Sequence, residues 1–140
     1  MGVQDYLISA RFLTTIGHLT ALLLIFSSIQ NNVEISLSDN TSTGDRTIAY
    51  QKSIAALCFG IFCFIFDFSG IFFGTTLFNS SINMIQIAFH FTGSIFLSWM
   101  ITEIWTYDAL WPIVVSTSIP TALIEVTMLL AIYVFKIVVY

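Results

Sequence analysis

Charged residues are scarce in this 140-residue chain, where four Lys and Arg residues and eight Asp and Glu residues make up 9% of the sequence. Soluble domains carry about 25% charged residues, so this composition cannot build the polar exterior that water requires. The basic residues are scattered, whereas a nucleic-acid interface needs them clustered. The sequence therefore predicts no nucleic-acid partner and indicates lipid as the solvent.

Cysteine and histidine are also scarce, with two residues of each. Cys58 and Cys63 lie five residues apart on one apolar segment, so their side chains diverge on a helix and we expect buried, unpaired thiols. His18 and His90 lie on other segments, and no CxxC spacing supports a zinc site. No GxSxG, HExxH or nucleotide-binding glycine loop occurs. We expect a non-enzymatic protein without metal or cofactor.

Hydrophobic residues, in contrast, make up 57% of the chain, and the mean hydropathy is +0.93. Four apolar runs are each long enough to cross a bilayer core of about 30 Å as a helix. They predict an all-α polytopic membrane protein, an antiparallel four-helix transmembrane bundle that forms a single tetraspan domain over residues 1–140. The short turn between the second and third runs predicts an antiparallel hairpin. The predicted helices cover 12–29, 53–77, 82–104 and 110–138, with a solvated loop over 30–52.

Each apolar run contains one ionisable residue, and these are His18, Asp67, His90 and Glu125. Charges are costly in lipid, so these side chains should face the bundle interior at similar depth. We predict that Asp67 pairs with His18 or His90. Glu125 should be protonated or bonded to a partner in the same layer.

Small residues follow the same helix faces, which predicts close helix packing at Gly60, Gly70, Gly74 and Gly93. Gly70 and Gly74 also form a GxxxG pattern. Two interpretations of the polar layer are open, a structural contact between helices and a proton or ion relay. We favour the structural one, because four helices around a filled seam leave little room for a solute.

Four crossings place both termini on one side of the membrane, but the sequence gives little evidence of which side that is. A glycosylation sequon begins at Asn40 in the predicted loop and favours that loop outside the cytosol. The basic residues near the two faces are balanced and do not decide the orientation: Arg11 and Lys136 against Arg46 and Lys52.

Several spaced features resemble those of the transmembrane protein 107 family along nearly the whole chain. They are the run Arg11 to Thr14 followed by His18, the turn 77–81, His90 nine residues beyond that turn, and the spacing from Pro120 to Glu125. Asp67 stands where the family leads us to expect a glutamate. The C-terminal tail carries only Lys136 instead of a basic cluster.

The resemblance implies a four-span component of the ciliary transition zone, in the Meckel syndrome module that gates membrane traffic into the cilium. It implies a membrane scaffold that supports cilium assembly and controls ciliary membrane composition, with both termini in the cytosol. The implied partners are membrane lipids and the tectonic, coiled-coil and C2-domain proteins of the transition zone. From the residues alone, a small transporter or proton-conducting protein that uses the His, Asp and Glu layer is the alternative.

Overall fold

Four long helices dominate the described residues, 2–38 and 40–136, of the computed structural model. Each is long and apolar enough to cross a membrane, and no strand occurs in this part of the chain, which confirms the all-α polytopic bundle. A short 3-10 turn precedes the fourth helix and a π-helical turn follows it. The helices are α1 (Val3–Ser36), α2 (Thr43–Phe73), α3 (Ser80–Thr102) and α4 (Leu110–Leu129), with the flanking turns at Tyr107–Ala109 and Leu130–Val134.

The helices pack in the order α1, α3, α4, α2 around the bundle, so α1 lies opposite α4 and α2 lies opposite α3. We call the end at which α1 begins, α4 ends and the 74–79 turn lies the terminal side. The opposite end, with the 37–42 and 103–109 connections, is the loop side. The second and third helices run antiparallel as predicted, but α2 and α3 lie across the diagonal of the bundle and are not direct neighbours. The link of six residues can span up to about 20 Å, enough to cross the end of the bundle.

The predicted solvated loop over 30–52 is also wrong, because α1 continues to Ser36 and α2 begins at Thr43. Polarity marks where the lipid ends, whereas a helix can continue into water. At about 1.5 Å per residue, the 34 residues of α1 span about 50 Å and extend beyond the hydrocarbon core. The connection that remains covers residues 37–42.

Polar contacts hold these helical extensions in place on the loop side. Asn32 Nδ2 donates to the Trp105 carbonyl at 2.6 Å, and the Tyr107 amide donates to Ser36 Oγ at 3.0 Å. Trp111 Nε1 donates to the carbonyl of Lys52 at 3.1 Å. The extensions of α1 and α2 are therefore tied to the segment that joins α3 to α4.

The other helix borders follow from local capping. Ser42 Oγ accepts from the Asp45 amide at 3.2 Å, and Asn79 Oδ1 accepts from the Ile82 amide at 3.2 Å. The Asn79 cap makes α3 begin at Ser80, two residues before its predicted start. Its end at Thr102, instead of 104, coincides with a cap in which the Glu103 amide donates to the Trp99 carbonyl.

Gly74 ends α2 in a left-handed conformation with φ 69°, which a glycine adopts without strain. The predicted end of α2 at 77 is therefore wrong, and Gly74 is a helix cap, not a packing residue. The last helical turn ends at Val134, and residues 137 and 138 of the predicted fourth helix lie outside the described residues. Cys63 is buried as expected, but Cys58 is exposed, so the prediction of a buried thiol is wrong there.

Candidate functional site

Arg11 is the central cation of the buried region, with a side chain only 1% exposed. It lies two turns into α1, and its guanidinium reaches across the bundle diagonal to form an ion pair with Glu125 of α4. Arg11 Nη1 also donates to Thr76 Oγ1 and to Asn83 Oδ1, both at 2.8 Å. A single side chain thus connects α1, α3, α4 and the 74–79 turn.

Glu125 accepts hydrogen bonds from three neighbours. The Thr76 hydroxyl, which accepts from Arg11, donates to Glu125 Oε1 at 2.9 Å. Gln86 Nε2 donates to the same oxygen at 3.0 Å and to the Thr121 carbonyl at 3.2 Å. Donors around a carboxylate favour its ionised form and offset its removal from water. We call these residues the arginine cluster: Arg11, Thr76, Asn83, Gln86 and Glu125.

A second group, the histidine cluster, adjoins the arginine cluster and consists of His18, His90, Asp67 and Thr121. The Nδ1 atoms of His18 and His90 lie 3.1 Å apart. His90 Nε2 lies 3.7 Å from Asp67 Oδ2 across the α2–α3 diagonal, and the Thr121 hydroxyl donates to the same oxygen at 3.2 Å. All four side chains are buried, so this group connects all four helices as well.

Glycines permit the close approach of these side chains. A Cβ added at Gly70 would overlap the Glu125 carboxylate, and one at Gly93 would overlap the His18 imidazole. At Gly60 an added Cβ would lie 2.8 Å from Leu22 Cδ2. These three glycines therefore sit at helix contacts, in contrast to the capping glycine at position 74.

Apolar side chains fill the bundle between the histidine cluster and the loop side. On α1, no buried polar side chain lies between His18 and Asn32, a distance of about 20 Å along the helix. Phe64 stacks on the His90 ring, with centroids 5.5 Å apart, and closes the histidine cluster from this side. The fully buried residues of this apolar section include Leu22, Ile25, Leu97, Leu110 and Val114.

The structure brings together all four ionisable residues singled out in the sequence. Asp67 faces His90, His18 contacts His90 but not Asp67 directly, and Glu125 bonds to a partner from α1. The sequence alone does not pair Arg11 with Glu125, because hydropathy places Arg11 at the membrane border of the first run. A signal existed, since Arg11 lies seven residues before His18 and so on the same helix face. Thr76 in the turn gave no comparable signal.

The chemistry available at these clusters is hydrogen bonding and charge compensation. No group of three or more His, Cys, Asp or Glu side chains within the described ranges is arranged to hold a metal ion. Asn40, the predicted glycosylation site, lies in the 37–42 connection and is exposed there. It lies on the loop side, whereas both clusters lie in the half of the bundle on the terminal side.

Comparison with known proteins gives a consistent family match. A sequence model of the family described as "TMEM107: Transmembrane protein" matches residues 7–129. The protein named transmembrane protein 107 in Rattus norvegicus is 29% identical and the one in Homo sapiens 28% identical, each over 97% of both chains. The Danio rerio protein of that name is 26% identical over 94% of this chain and 97% of its own. These names denote a transmembrane protein and no enzyme, and no solved structure matches.

Proposed function

Since the chain belongs to the transmembrane protein 107 family, we propose that it is a non-enzymatic membrane scaffold of the ciliary transition zone. In this role it supports cilium assembly and the control of ciliary membrane composition. The match of residues 7–129 to the family carries the proposal. Membrane lipids and the tectonic, coiled-coil and C2-domain proteins of the transition zone are its proposed partners.

The interior of the bundle supports a scaffold more than a solute pathway. Hydrogen-bonded polar groups fill the half of the bundle on the terminal side, and packed apolar side chains fill the other half. Large apolar side chains such as Phe62, Phe72 and Phe73 are exposed on the outside of the helices. A protein whose interior is filled by its own side chains and whose outer faces are apolar is suited to contact lipid and neighbouring transmembrane helices.

Localisation in a ciliated cell tests the proposal. A tagged copy, expressed in cells that lack the endogenous protein, should form a ring at the ciliary base and restore cilium assembly. The matched control is the same chain with Gly93→Leu, which should disturb the bundle and lose the ring. Uniform staining of the endoplasmic reticulum or plasma membrane by the unaltered chain, without restored cilia, would contradict the scaffold role.

For orientation, we propose that both termini face the cytosol, as the family resemblance and the Asn40 sequon suggest. The burial of Arg11 removes one basic residue from the terminal side, so charge alone now favours the opposite orientation, with Arg46 and Lys52 inside. Glycosylation separates the two. An endoglycosidase-sensitive shift that disappears in Asn40→Gln places the loop side outside the cytosol, whereas protection of the loop side from added protease would reverse the proposal.

The alternative function is proton or ion conduction through the His, Asp and Glu layer. It is favoured by the adjoining polar groups of the two clusters, from Arg11 to His18, but opposed by the apolar section that follows. We expect liposomes that contain the purified chain to show the same proton permeability as empty liposomes. A flux that the unaltered chain produces and Asp67→Asn abolishes would establish conduction and overturn the scaffold proposal.

A further inference from the structure

The charges of the two clusters do not sum to zero if each ionisable side chain carries its ordinary charge. Arg11 and Glu125 contact each other and cancel. Asp67 then remains as a buried carboxyl, only 1% exposed, with no second Lys or Arg paired to it among the residues that the structure describes. An unpaired charge inside a membrane bundle is costly, by several kcal/mol or more.

The groups around Asp67 offer no other compensation. The ionisable group that faces it from α1 is the already paired Arg11, from α3 it is His90, and from α4 it is the carboxylate of Glu125. His18 reaches Asp67 only through His90. On α2 itself the ionisable group nearby is the Cys63 thiol, one turn away. Within the described residues, Asp67 Oδ1, His90 Nε2 and His18 Nε2 are buried polar atoms without a hydrogen-bond partner. The side chains of the histidine cluster therefore do not satisfy one another's hydrogen-bonding atoms.

Proton positions follow from the two contacts of the His90 ring. Its Nδ1 faces Nδ1 of His18 at 3.1 Å, so one of these nitrogens must carry a proton and the other must accept it. Its Nε2 faces Asp67 Oδ2 at 3.7 Å, and a bare nitrogen opposite a carboxylate would be repulsive. Two neutral imidazoles can supply both of these protons, with His18 Nδ1 donating to His90 Nδ1 and the His90 Nε2 proton facing Asp67. That arrangement satisfies the contacts but leaves the negative charge of Asp67 without compensation, and an additional proton would remove this charge.

We propose that Asp67, His90 and His18 form a binding site for one additional proton, which keeps the buried clusters electrically neutral. This proton lies on the Asp67 carboxyl or on the imidazole that faces it. With it bound, Arg11 balances Glu125, and Asp67 with the two histidines carries no net charge.

The site assigns the proton to Asp67 and the histidines, not to Glu125. Glu125 contacts a guanidinium and accepts from a hydroxyl and an amide, which together favour the carboxylate. Asp67 accepts from a single hydroxyl, and its other oxygen has no partner. The apolar section also separates the site from the loop side, so this proton does not cross the membrane.

The test is a proton count at neutral pH on the full chain in lipid nanodiscs. Infrared spectra with selective ¹³C labelling of Asp or Glu carboxyls detect a protonated carboxylic acid and identify its residue type. Nitrogen NMR on ¹⁵N-histidine samples reports both rings without ambiguity, because the chain has only two histidines. We expect either a protonated Asp carboxyl or one doubly protonated imidazole.

Asp67→Asn should remove that extra proton and leave two neutral imidazoles, whereas Glu125→Gln should leave the Asp signal in place. If Asp67→Asn does not fold, the labelled unaltered chain still decides, and Asp67→Glu should move the acid signal from the Asp-labelled to the Glu-labelled sample. An ionised Asp67 beside two neutral imidazoles would overturn the proposal. So would a protonated acid that is Glu-labelled in the unaltered chain.

Discussion

Replacing Arg11 with methionine should lower the free energy of unfolding by about 3 kcal/mol or more, because it leaves the Glu125 carboxylate buried without its cation. Methionine keeps much of the side-chain volume, so the loss reports charge and hydrogen bonds and not an empty cavity. Thr76 and Asn83 would also each lose a buried hydrogen-bond partner. Reversible unfolding of the purified chain by SDS in mixed micelles, followed by circular dichroism, measures the change.

The matched control is Lys52→Met, which removes an exposed basic residue near the loop side. Surface substitutions away from packed features usually change stability by less than about 0.5 kcal/mol. Equal effects of Arg11→Met and Lys52→Met would mean that the interior cation has no special role.

Alanine at Gly70 or Gly93 should also destabilise the bundle strongly, by about 1–3 kcal/mol each. At Gly70 the new methyl group meets the Glu125 carboxylate and pushes it away from Arg11. At Gly93 it meets the His18 ring, which Phe64 and His90 hold in place. The same unfolding assay measures both, and nitrogen NMR of His18 should show a displaced ring in Gly93→Ala.

Gly17 provides the control within α1, because an added Cβ there has no neighbour closer than Ser94 Oγ at 3.7 Å. Alanine also favours helix over glycine, by about 1 kcal/mol in soluble helices, so Gly17→Ala should be neutral or slightly stabilising. A similar loss at positions 17, 70 and 93 would indicate that glycine flexibility, and not close packing, is what the bundle needs.

The number of crossings and the inward-facing ionisable residues could be predicted from the sequence, because both follow from the cost of polar groups in lipid. The identity of their partners could not. Arg11 is a border residue by hydropathy, and although it shares a helix face with His18, only the three-dimensional crossing of α1 and α4 shows that it meets Glu125. Thr76 joins the arginine cluster because Gly74 ends α2 and the following turn crosses the terminal side of the bundle, where Thr76 meets Glu125.

Helix ends show the same limit for a different reason. The predicted loop over 30–52 rests on the polarity of these residues, and polarity indicates only where the lipid ends. Whether a helix continues beyond it depends on contacts such as those of Asn32 and Ser36 with the segment after α3. The order of the helices around the bundle could not be predicted from the sequence either, since a link of six residues can join adjacent or diagonal helices.

The coupling free energy between Arg11 and Glu125 tests most directly whether the arginine cluster holds the four helices together. The measurement is a double-mutant cycle of the unaltered chain, Arg11→Met, Glu125→Gln and the double variant, each unfolded in the same micelles. The double variant should be more stable than the sum of the two single losses predicts, with a coupling of about 2 kcal/mol or more. Losses that add to within about 0.5 kcal/mol would show that the two residues act independently and would contradict this description of the bundle.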